Sequence, residues 1–307
     1  MRNPCASSDL LCHDFIILCK FVDMKAIVSR SYSPCSKPSA GYLFSLWGFM
    51  LLFVVALSML MMPLLELLLS GSYVKYVGMV VQGLLVFALP AWLVEQYYRR
   101  SHREQVWRLR WSDARYDHLP RLVALMLAAM CASLLLESAM SLFPVPKIFA
   151  SMEEQMTLEY EALLGEQRLM GRILIYFATI VAAPLGEELF FRGGVQGWLL
   201  CRLRNPHVAV WITALLFSAM HMQWSGFPSR LLLGGVIGYV ALYRGLWVAI
   251  LFHVVNNAMT FVLESFDLEL GLGWGFAVML VLVGLLVKEM KQETSATSSI
   301  NDLKDEE

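Results

Sequence analysis

Residues 184–194 read PLGEELFFRGG, and the reading of this stretch decides the fold. Glu187, Glu188 and Arg192 place three charges within six residues, inside an otherwise apolar run. A charged side chain at the centre of a bilayer costs roughly 3 kcal/mol on insertion scales, so three facing lipid would cost about 9 kcal/mol. They must therefore face a protein interior, a wet cavity or the membrane interface. Glu188 and Arg192 are four apart, so on a helix they form an ion pair on one face. Glu187 points about 100° away and is free for other work. On this stretch alone, a juxtamembrane salt bridge and a functional cluster both remain open.

The surrounding sequence has the same apolar character. Of 307 residues, 58% are hydrophobic and 16% charged, against about half and a quarter in soluble domains. The excess is gathered into runs long enough to cross a bilayer, which need roughly 20 residues each. Candidate spans fall at 43–65, 74–97, 119–143, 169–186, 206–221, 230–243, 246–263 and 272–288. The expected fold is all-α, a polytopic bundle of about eight transmembrane helices around an intramembrane cavity. No strand is expected, because an open sheet edge cannot cross lipid and alternating barrel segments are absent. This composition excludes a soluble enzyme, a disordered chain and a disulfide scaffold. The net charge of −1 gives no support for a nucleic-acid partner.

Four segments follow from this reading: an N-terminal segment at 1–40, helices and an acidic stretch at 41–168, a membrane core at 169–288 and a polar tail at 289–307. Arg99, Arg100, Arg103, Arg108 and Arg110 form the strongest basic cluster, which places that loop in the cytoplasm. Lys25, Arg30 and Lys37 put the N-terminus on the same side, and Lys288 and Lys291 the C-terminus. The stretch with Glu153, Glu154, Glu159, Glu161 and Glu166 is expected outside, as an amphipathic surface helix. The short loops fit a bacterial inner membrane. Met24 precedes a more ordinary N-terminus than Met1 and is a candidate start of translation. No C-x-x-C pair occurs among Cys5, Cys12, Cys19, Cys35, Cys131 and Cys201, which are read as unpaired thiols.

Two further clusters lie downstream. FSAMH at 217–221 sets Phe217 and His221 one turn apart, and HVVNN at 253–257 puts His253 and Asn257 on one helix face. Each alone reads equally as interhelical hydrogen bonding. Together, a carboxylate, two imidazoles and an amide are the parts needed for water-mediated amide hydrolysis. The carboxylate serves as general base, and hydrogen-bond donors steady an oxyanion. Glu137 lies within the third span and is read as an interhelical hydrogen-bond partner. Arg230, Glu66 and Glu95 sit near span ends, where they can snorkel, and receive no role.

The order E-E-x-x-x-R, F-x-x-x-H, H-x-x-x-N resembles the signature of the CPBP intramembrane endopeptidases. That family includes type II CAAX prenyl endopeptidases and bacteriocin-processing and abortive-infection proteins. The motif positions match without substitution over about 169–263. The resemblance implies that Glu187 activates water together with His221. It also implies that His253 and Asn257 form the oxyanion site, and that Glu188 and Arg192 hold the helix or orient substrate. It implies no cofactor, zinc being the alternative, and a membrane-associated peptide or protein as substrate. A non-catalytic membrane scaffold or immunity protein of the same fold is the other reading. H-E-x-x-H is absent, no candidate span holds an Asp, and Gln223–Gly226 is a failed serine-protease motif. One geometric conflict follows: simple topology puts Glu187 and His221 at opposite ends of their helices. They meet only if the Glu187 helix continues past 187.

Overall fold

The computed structural model describes residues 73–93 and 119–265 almost continuously, with scattered residues between 52 and 67 and at 281 and 284. The chain divides into two compact units, and every helix discussed below lies in the one spanning Cys35–Val283. The described residues are helical, without a strand. We number the helices α1 (Val74–Leu93), α2 (Leu119–Met140), α3 (Lys147–Leu164), α4 (169–202), α5 (Pro206–Met220), α6 (Phe227–Arg244) and α7 (Leu246–Ser265). Four stretches are long and apolar enough to cross a membrane: Val74–Leu93, Pro120–Met140, Leu169–Leu200 and Leu246–Leu263. The expected helical membrane bundle is therefore the fold. The expected spans at 43–65 and 272–288 lie largely outside the described residues. So do the arginine-rich loop and both chain ends.

The α4 helix runs unbroken past Glu187 to Arg202, which removes the topological conflict. Its 32-residue apolar stretch, Leu169–Leu200, extends about 48 Å at 1.5 Å per residue, well beyond a bilayer core of about 30 Å. The membrane window on this helix therefore need not end at residue 187. Helix α5, with 15 residues, rises only about 22 Å, so His221 at its end need not reach the far interface. Two stretches of α4, Phe177–Ala182 and Leu189–Gln196, are π-helical, as is Gln82–Ala88 in α1. Such widened turns often occur at functional sites, because they shift side chains around the helix.

Small residues bring the helices close. At Gly186 of α4 an added Cβ would lie 1.8 Å from the Gly83 carbonyl oxygen of α1. At Gly83 one would lie 2.7 Å from the Ala182 carbonyl carbon. On α6, a Cβ at Gly235 would meet the Trp211 ring at 2.8 Å, and one at Gly238 the Gln196 side chain at 2.8 Å. Close approach of this kind drives association where lipid removes the hydrophobic contrast between helices.

Ahead of α4, Glu166 closes the connection from α3. It accepts from the Tyr76 hydroxyl at 2.5 Å and from the Arg168 backbone N–H, Nε and Nη2 at 2.8, 2.8 and 2.6 Å. The hydrogen bonds from Arg168, with that from Tyr76, hold its carboxyl far below the usual range. Helix α3 buries none of its residues, in keeping with the surface helix expected there. Cys131 is buried and unpaired.

Replacing Gly186 by Ala should destabilise the bundle by about 2–3 kcal/mol, the upper part of the overpacking range. Gly165→Ala should be near neutral, since its Cβ would meet only a helix carbonyl at 3.3 Å. Thermal unfolding of detergent-solubilised protein measures both. Equal melting temperatures for the two variants would contradict the α1–α4 contact.

Candidate active site

Two adjacent carboxylates on α4 have different surroundings. Glu188 is fully buried, and its Oε1 accepts from Arg192 Nη1 at 2.8 Å, the ion pair expected from the four-residue spacing. The same oxygen lies 2.8 Å from His253 Nδ1 on α7. Arg192, also buried, donates from Nη2 to the Gly234 carbonyl of α6 at 3.1 Å and covers the Phe217 ring of α5 at 4.5 Å. One turn on, Gln196 Nε2 donates to the Gly238 carbonyl at 2.9 Å. Glu188, Arg192 and Gln196 thus form a polar strip along α4, and the glycines of α6 let its backbone approach closely enough to accept from it. Sequence reasoning did not single out Gln196; its four-residue step from Arg192 was the available signal.

Glu187 retains 17% of its side-chain exposure, and its Oε2 stands 3.9 Å from His253 Nε2. That gap is too long for a direct hydrogen bond and of the size a bridging water or substrate oxygen fills. His253 therefore has one ring nitrogen fixed by Glu188 and the other facing Glu187. A carboxylate holding Nδ1 also sets the ring's orientation and tautomer.

His221 lies just past the end of α5, with Nδ1 2.9 Å from the Phe217 carbonyl oxygen. The Phe217 ring packs edge-on against both imidazoles, at 4.9 Å from His221 and 5.9 Å from His253. Phe217 thus spaces the two histidines, and Arg192 lies over the same ring. Asn257 lies one turn beyond His253. Its Nδ2 donates to the Thr179 carbonyl of α4 at 2.9 Å, and its Oδ1 accepts from Asn256 Nδ2 at 3.3 Å. One of its amide hydrogens is thereby committed to holding α7 on α4, which leaves the second for another acceptor.

Glu187, Glu188, Arg192 and His253 form one contiguous cluster, joined to His221 through Phe217. Asn257 is tied to α4 one turn away. Among the described residues no three His, Cys, Asp or Glu side chains gather as a metal site.

The rim beyond His221 is built by loop 221–226. Met222 adopts a positive φ of 54°, uncommon outside glycine. Glu153 of α3 accepts from the Trp224 and Ser225 backbone N–H groups at 2.9 and 3.0 Å and from the Ser225 hydroxyl. Phe149 stacks on Trp224 at 5.9 Å. Partial burial works to raise the Glu153 pKa. The hydrogen bonds from Ser225 and Trp224, with the Arg230 charge, outweigh it and hold the carboxyl below its ordinary value. Glu137 accepts from Ser229 at 2.7 Å, the interhelical role expected for it.

With this bundle and its carboxylate–imidazole cluster in place, the class is a helical membrane protein with a candidate hydrolytic centre. Residues 169–259 match the family model described as "Type II CAAX prenyl endopeptidase Rce1-like", in line with the resemblance of the three motifs. The match begins at the head of α4 and ends within α7, and so contains every motif residue. Neither a curated protein nor a solved structure matches the chain.

Removing one member of the buried pair leaves the other as an uncompensated charge. Glu188→Ala should therefore cost about 3–5 kcal/mol of stability, while Glu188→Met combined with Arg192→Met should recover most of that. Denaturant unfolding in detergent decides it, and a double variant as unstable as the single one would contradict the pairing.

Because folding lowers the Glu153 pKa, its clasp stabilises fully above the ordinary glutamate value of about 4.3 and is lost as the pH falls through the lower folded-state value. Amide-exchange protection at Trp224 and Ser225 should fall in that acid window. In Glu153→Gln it should be lower throughout and insensitive to pH there.

Proposed function

We propose that the chain is an intramembrane endopeptidase in which Glu187 activates water against a peptide bond. The observation that carries this reading is the imidazole of His253, held at Nδ1 by buried Glu188 and facing Glu187 across 3.9 Å with Nε2. Glu187 takes a proton as the water oxygen bonds to the carbonyl carbon. The carbonyl oxygen becomes an oxyanion, which accepts from His253, when that ring carries both protons, and from the uncommitted amide hydrogen of Asn257. Glu187 then delivers its proton to the leaving nitrogen as the C–N bond breaks, giving a carboxylic acid and an amine, between which the remaining water proton equilibrates to carboxylate and ammonium. His221, whose Nδ1 faces a carbonyl, offers Nε2 to orient the water. The low-dielectric surroundings strengthen each of these interactions.

The substrate is a membrane-associated peptide or protein. The family description supports a CAAX-type C-terminal segment, and leader-peptide processing fits the same chemistry. No cofactor is required by this scheme. The loop charges support cytoplasmic chain ends, and the short loops fit a bacterial inner membrane.

Glu187→Gln should abolish cleavage, with a loss of at least about a thousandfold, while leaving the unfolding transition close to wild type. Terminal proteomics of membranes carrying wild type or Glu187→Gln measures this as new peptide termini seen only with wild type. Identical termini, with both proteins folded, would instead support a scaffold role. Inhibition by a chelator reversed by zinc would overturn the metal-free scheme.

A further inference from the structure

Arg230 lies outside the three motifs, on the first turns of α6. A hydrogen bond from Ser218 ties its turn to that of His221. Ser218, three residues before His221, donates from Oγ to the Phe227 carbonyl at 2.6 Å, and Ser229 Oγ lies 2.9 Å from the Gly226 carbonyl. The guanidinium rests on Gly226. A Cβ there would come within 2.3 Å of Nη2 and 2.6 Å of Cζ, so the bare glycine is what makes room for it.

Nε and Nη2 of Arg230 are shielded from solvent yet have no hydrogen-bond partner. Its charge acts on Glu137, Glu153 and Glu187 and on His221. Among the described residues, however, no carboxylate comes within ion-pairing distance. Two of these acids are engaged elsewhere, Glu137 with Ser229 and Glu153 with Ser225 and Trp224, and the third, Glu187, faces His253. A sheltered guanidinium with two unused donors is costly unless something completes it. Its flat fork of N–H groups fits a carboxylate.

We propose that Arg230 binds a carboxylate of the peptide substrate and so positions the scissile bond over Glu187. This rests on the peptidase reading and adds to it a determinant of specificity. The carboxylate can be the free C-terminus of the peptide or an acidic side chain near it.

The test is binding and cleavage of three farnesylated peptides by the full chain in phosphatidylcholine nanodiscs. One peptide ends in a free carboxylate, one is its C-terminal amide, and one is that amide with an aspartate among its last three residues. Wild type should bind the free acid about ten- to a hundredfold more tightly than the plain amide. Arg230→Gln should reduce that ratio to near one while binding the plain amide as wild type does, which shows that the variant is folded. Arg230→Lys should keep part of the preference. Preference for the aspartyl amide over the plain amide assigns the recognised group to a side chain, and preference for the free acid alone assigns it to the terminus. Equal binding of all three by wild type, or a preference that survives in Arg230→Gln, overturns the proposal. So does a preference that disappears when phosphatidylglycerol replaces phosphatidylcholine, which would give Arg230 to a lipid headgroup. If Arg230→Gln loses amide binding as well, the acid-to-amide ratio of Arg230→Lys decides, and a ratio near one overturns the proposal. Cleavage without a carboxylate preference leaves the peptidase reading standing and removes this one. A preference without cleavage does the reverse.

Discussion

The structure depends on an ion pair that has nowhere else to go. Glu188 and Arg192 share one face of a long apolar helix, and lipid on that face would charge several kcal/mol for each. The pair therefore turns inward and organises what packs against it. The Gly234 carbonyl of α6, the Phe217 ring of α5 and the His253 imidazole of α7 all converge on these two side chains. Three helices are thereby aligned by two residues of a fourth. A buried pair adds little net stability by itself, so its effect here is positional. It fixes which way α5, α6 and α7 face, and hence where the histidines stand.

Close backbone packing is the other half of that arrangement. The Gln196 carboxamide reaches the α6 backbone because Gly238 carries no side chain in its way, and Gly234 lets α6 close onto Ala214 and Phe217 of α5. On the opposite side, Gly83 and Gly186 let α1 press against α4 just before the acidic pair. The segment 183–188 is thus held from both sides, which leaves Glu187 little freedom to move relative to Glu188. Precise placement of a reacting group needs this kind of surrounding rigidity.

The sequence shows the bundle clearly, because long apolar runs and intramembrane charge are strong signals. It also shows the Glu188–Arg192 pair, since helical spacing alone puts them on one face. Helix limits are less legible. Hydropathy ends the fourth run where Glu187 and Glu188 begin, whereas the helix continues to Arg202 because those charges are satisfied inside the protein. Arg230 illustrates the opposite failure. At a span end it reads as a snorkelling cation, and only the fold of loop 221–226 shows it turned back onto Gly226. The attachment of His253 to Glu188 could not be read either, because 65 residues separate them and both acids of the motif are candidates.

That last distinction explains why two adjacent carboxylates are present. Orienting an imidazole and activating water ask different surroundings of a carboxylate, one closed and packed and the other open to solvent. Helical geometry separates the two tasks by about 100°. Glu188 points into the packed strip, where its Oε1 pairs with Arg192 and meets His253. Glu187 points to the more open side, unpaired with any cation at close range and facing the ring that its neighbour has oriented. The more open acid therefore faces a ring that its neighbour already holds through Oε1.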